Sequence, residues 1–123
     1  MNLKLMPQEL EVWYLIPAIR KELSKFFIDN YNFSQKEVAG ILGITESAVS
    51  QYFKSKRANE LKFDNKEKNI IKKYADKIVN DKKNIRKYLF ELSNKLRGTK
   101  SLCDLHHKQD SSLPHNCRIC MGE

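Results

Sequence analysis

The chain has 123 residues, enough for one domain with an appendage and too few for a large multi-layered enzyme. Its apolar fraction of 41% and charged fraction of 31% belong to a folding chain rather than a disordered one. Lysine and arginine number 23 against 15 acidic residues, and the resulting charge of +8 favours phosphate-bearing partners without choosing among DNA, RNA and anionic lipid.

The longest apolar run, Val12 to Ile19, is far shorter than the roughly 20 residues of a membrane span and contains Pro17. The N-terminus has no signal-peptide pattern, so a cytoplasmic protein without a membrane partner is expected. Strand signals are weak and no internal repeat is evident, which predicts an all-α fold.

Pro7 suits the first turn of a helix, where its missing N–H costs nothing. Leu10, Val12, Trp13, Ile16, Ile19, Leu23, Phe26 and Phe27 recur at helical spacing and read as a core stripe. Pro17 is expected to kink this helix near its middle. Asn30 to Phe33 read as a turn.

Ser34 with Glu37 three residues on is a capping box, and the helix it opens ends at Gly43. Thr45 caps the next helix, which carries Ala48, Val49, Tyr52 and Phe53. The polar, basic stretch Ser55 to Leu61 stops it. Asp64 with Glu67 is a second capping box, opening a helix with Ile70, Ile71, Tyr74 and Ile78 on one face.

Asn80 and Asp81 interrupt that pattern. Asp81 is expected to cap a further helix carrying Ile85, Tyr88, Leu89, Leu92 and Leu96 and ending at Gly98. Ile71, Ile78, Ile85 and Leu92 are spaced seven apart, so the alternative is one continuous helix with a coiled-coil seam. Asp81 would then fall in the seam, which favours two helices. After Gly98 the periodicity disappears. The expected organisation is a helix-turn-helix domain over 1–61, a helical connection over 62–98 whose apolar face around Ile71 to Leu96 either mediates dimerisation or closes the monomer's core, and a Cys/His tail over 99–123.

The strongest signal lies between Gln35 and Lys54. Two short helices crossing steeply over a tight turn need a small residue at the contact, supplied by Ala39, and a residue tolerating positive φ, supplied by Gly43. Ile44 and Val49 plug the angle, with Val38, Leu42 and Tyr52 beneath. If Ala48, Val49 and Tyr52 point inward, then Thr45, Glu46, Ser47, Ser50, Gln51 and Lys54 point outward.

The stretch resembles the helix-turn-helix of the lambda-repressor-like family, with Gln35, Ala39, Gly43, Ile44 and Val49 at its characteristic positions. The resemblance implies that the second helix enters the major groove of double-stranded DNA N-terminus first. Gln51 then reads adenine, and Ser47 and Ser50 reach bases or phosphates. Glu46 either accepts from a cytosine amine or faces away. Gln35 bonds a phosphate at the first helix's N-terminus. Lys54, Lys56 and Arg57 position the backbone. The plain alternative is an αα-hairpin with no DNA contact.

The tail holds Cys103-Asp-Leu-His106 and Cys117-Arg-Ile-Cys120. A two-residue gap lets both side chains of a pair point at one ion, and two pairs supply the four ligands of a tetrahedral zinc site. Zn2+ is slightly preferred over an iron–sulfur cluster with one non-cysteine ligand. His107 and His115 are reserve ligands, and disordered thiols are the plain alternative.

The whole chain resembles a group of archaeal predicted transcriptional regulators. The matching residues are Val12-Trp-Tyr-Leu-Ile-Pro17-Ala-Ile-Arg20, Ser34-Gln-Lys-Glu-Val-Ala39, Ala48-Val-Ser-Gln-Tyr52, Leu102-Cys-Asp-Leu-His106 and Pro114 to Cys120. That group often carries a further cysteine upstream of the tail. This chain has none between Leu89 and Arg97, which gives His106 more weight.

The expected function is a sequence-specific DNA-binding regulator, metal- or redox-responsive through its tail and acting as a homodimer. No enzyme activity and no small-molecule substrate is expected. One competing reading is an RNA- or protein-binding adaptor with a structural zinc tail. A cysteine-nucleophile enzyme is the other, and it lacks a scaffold for a pocket.

Overall fold

A computed structural model describes residues 6–54, 59–97 and 100–109. Every regular element among them is helical. The chain enters through α1 (Pro7–Leu10), a π-helical turn (Glu11–Leu15) and α2 (Ile16–Tyr31). The Glu9 carboxylate accepts from the Met6 N–H at 3.0 Å, satisfying one donor of the first turn.

The kink expected at Pro17 takes the form of that π turn. Proline has no N–H to give the preceding turn and its ring crowds the backbone there, and a wider turn relieves both problems. The turn also shifts the helical phase. Leu10 and Leu15, five residues apart, are both fully buried and Tyr14 joins them, whereas Val12 is 60% exposed. Val12 therefore does not belong to the core stripe assigned from α-helical spacing. Asn32 ends α2 in the left-handed region at φ 56°, its N–H reaching the Phe27 carbonyl. Tyr31 and Phe33 stack across this turn with centroids 5.6 Å apart.

α3 (Gln35–Leu42) and α4 (Glu46–Lys54) follow, then α5 (Asn65–Asn80), a 3-10 turn (Lys82–Asn84), α6 (Ile85–Arg97) and α7 (Lys100–Gln109). Asp64 and Glu67 form the expected capping box, with both bonds at 2.8 Å. The helix breaks at Asp81, as the side-chain pattern favours. Asp81 does not cap backbone N–H groups with its carboxylate, however. It accepts from the Asn84 side-chain amide at 2.8 Å and the Tyr88 hydroxyl at 2.9 Å. Those two bonds, Asn84 first, hold its pKa below the usual carboxylate value.

α2 is the central element. It packs on α3, α4 and α5, while α6 packs on α5 and on the π turn. Arg97 and Glu11 pair at 3.3 Å across the last of these contacts. Ile71, Tyr74, Ile78, Leu92 and Leu96 are buried within the chain itself. The apolar stripe named as a dimerisation candidate thus closes the monomer's own core.

Past Gly98, residues 100–109 form a helix, although their polarity gave no sign of one. α7 places Leu102 and Leu105 in the same buried cluster as Leu10, Phe27 and Leu96, and His106 is 2% exposed. Two leucines three residues apart give little periodicity, so the helix was not legible as one. No described helix is long and apolar enough to cross a membrane.

Candidate nucleic-acid interface

The geometry of α3 and α4 is set by short-range chemistry. The Ser34 hydroxyl accepts from the Glu37 N–H at 3.1 Å, and the Glu37 carboxylate accepts from the Ser34 N–H at 3.3 Å. Gly43 sits at φ 71° and ψ 34°, and its N–H donates to the Ala39 carbonyl. An L side chain rarely adopts that conformation, so glycine is what allows the chain to turn within three residues. The Thr45 hydroxyl then accepts from the Ala48 N–H at 3.0 Å and starts α4.

Packing holds the two helices together. Val38, Ala39, Leu42 and Val49 are buried, and Ile44 is half-buried against them. Tyr52 is half-buried, and its hydroxyl accepts from the Arg20 guanidinium at 3.0 Å. This bond ties α4 to α2. It joins residues far apart in sequence, and the sequence offered only Tyr52's place on the inner face to suggest it.

The outward face falls largely where the inner one predicts. Thr45, Glu46, Ser47, Gln51 and Lys54 are exposed. Ser50 differs, being half-buried and donating through its hydroxyl to Gln35 Oε1 at 2.9 Å. Gln35 and Ser50 were expected to act separately, on a phosphate and on bases. They form one unit instead. The bond occupies the Gln35 carbonyl oxygen and leaves its amide NH2 available to donate. Lys56 and Arg57 lie outside the described residues.

Of the tail residues, Cys103 is half-buried and His106 buried, three positions apart on α7 and so on one face of that helix. Cys117 and Cys120 lie outside the described residues. Among the described residues no group of three or more His, Cys, Asp or Glu side chains is placed to hold a metal. Cys103 and His106 together supply at most one edge of a tetrahedral site.

Comparison with protein-family models, with curated proteins and with solved structures finds no match to this chain.

Proposed function

We propose that this chain is a sequence-specific double-stranded DNA-binding transcriptional regulator that reads its site through α4. The observation that carries this reading is a polar, exposed helix face held rigidly against a second helix. Gln51 and Ser47 stand on that face, while Gln35 and Ser50 bond across its edge. Gln51 has the donor and acceptor that match adenine in the major groove, and the Gln35 amide has donors for a phosphate. The surplus of basic residues supplies the non-specific part of the affinity.

The test is selection from a pool of random DNA duplexes followed by gel-shift competition. Enrichment of one sequence family, bound more tightly than random duplex or single-stranded RNA, is the expected result. Salt-sensitive binding without any sequence preference would overturn the reading. As part of the same proposal the regulator acts as a homodimer on two half-sites, which light scattering of the protein–duplex complex checks.

The tail is proposed to hold one metal centre through Cys103, His106, Cys117 and Cys120, with Zn2+ ahead of an iron–sulfur cluster. Support comes from the two paired spacings and from the shared helix face of Cys103 and His106. Bound zinc would act as a structural clip, and an iron–sulfur cluster would make the regulator redox-responsive. Elemental analysis with a visible spectrum on anaerobically purified protein separates the two.

A further inference from the structure

We propose that the corner between α5 and α6, through Lys82 and Lys83, is a second phosphate-contacting surface beside the helix-turn-helix. The proposal rests on the DNA-binding reading above and extends its footprint beyond α3 and α4. Between Asp81 and Lys87 the chain carries four basic side chains, Lys82, Lys83, Arg86 and Lys87, against the single carboxylate of Asp81. A run of that kind is commonly a solvated edge, and its position decides otherwise here.

The 3-10 turn carries Lys82 to the flank of α3. Its Nζ lies 5.4 Å from the centre of the Phe33 ring, two residues before Gln35. Together with Glu37, Gly40 and Ile41 it lines a shallow surface hollow of about 290 Å³. The ammonium thus runs alongside the helix whose N-terminal Gln35 is assigned to the DNA backbone. A cation resting on an aromatic face keeps its full charge and is restrained in position.

The two acidic side chains close to Lys82, one in the same hollow and one beside it in the chain, both make hydrogen bonds to other groups. Glu37 accepts from the Ser34 N–H, and Asp81 accepts from Asn84 and Tyr88. Lys83 is exposed on the same turn. A duplex lying on α4 and on the start of α3 would therefore meet a cation held on the Phe33 ring, two residues before Gln35 in the chain, in a hollow it shares with Glu37. Such a contact positions the protein and adds affinity for any sequence.

The experiment measures binding of the full chain to a fluorescent random-sequence duplex over a range of salt. Lys82→Gln and Lys83→Gln should each flatten the slope of log affinity against log salt by about one unit, and Lys82→Arg should keep it. Lys95→Gln, in the last turn of α6, should leave it unchanged. Slopes unaltered in both corner variants, with the unmodified chain still binding duplex, would overturn this inference and leave the DNA-binding reading standing. An equal loss for Lys95→Gln would overturn it as well, since the effect would then be diffuse charge. If Lys82→Gln does not fold, Lys83→Gln decides. If the unmodified chain binds no duplex, both readings fall.

Discussion

Arg20 donates to the Tyr52 hydroxyl at 3.0 Å, so the orientation of α4 is fixed from the middle of α2. The bond is partly buried, and Arg20 Nε already lies buried without an acceptor. Removing the Tyr52 oxygen deprives the guanidinium of an acceptor and offers no replacement. Tyr52→Phe should therefore destabilise the fold by about 1–3 kcal/mol in urea denaturation. Specific DNA affinity should fall more than random-duplex affinity, because α4 is the element released. Equal losses on both duplexes would detach Tyr52 from recognition.

Gln51 is exposed on α4 with a free face toward solvent. Gln51→Ala should weaken binding to the selected duplex by about 1–3 kcal/mol and scarcely alter binding to random duplex. Titration of both duplexes under one salt condition checks this.

Gly43 has φ 71°, and a Cβ built there would meet no other atom within 4 Å. The cost of Gly43→Ala is then backbone strain alone, about 1–2 kcal/mol. Gly43→Asn should cost less, since asparagine tolerates the left-handed region better. Thermal melts of the two variants give the order.

Tyr74 is buried, and its pKa is raised above 10.0, first by burial, then by the Glu91 charge and by the bond its hydroxyl donates to Glu91 at 3.3 Å. A raised folded-state pKa contributes stability that is fully present below the unfolded value. That contribution is lost as pH rises through the folded value. Stability should therefore fall more steeply above pH 10 in the unmodified chain than in Tyr74→Phe. Denaturation midpoints measured across alkaline pH show whether it does.

For the tail, Cys117→Ser should lower the metal content of anaerobically purified protein while leaving the helical circular dichroism spectrum largely intact. Leu102 and Leu105 anchor α7 in the core. A purified chain holding no metal, with all three thiols open to titration, would refute the metal centre.

Much of the architecture was readable because its determinants are local. The Ser34–Glu37 and Asp64–Glu67 boxes and Gly43 each rest on residues within one helical turn, and the break at Asp81 involves only Asn84 and Tyr88, at most seven residues on. Features set by distant residues were not readable. Val12 turned outward because a π turn altered the phase of its helix, and α-helical spacing contains no sign of that. The Gln35–Ser50 and Arg20–Tyr52 bonds depend on how helices meet, as does the seat of Lys82 on Phe33. α7 is stabilised by what Leu102 and Leu105 bury against rather than by its own composition.

The burial of Leu102 and Leu105 also bears on how the chain is made. Synthesis runs from the N-terminus, so α3 and α4 leave the ribosome well before the residues that complete the core. A nascent chain stopped near Gly98 would expose the apolar surface that those leucines cover, and would attract chaperones or proteases. Completion of the core that holds α3 and α4 is in this way made contingent on the synthesis of α7.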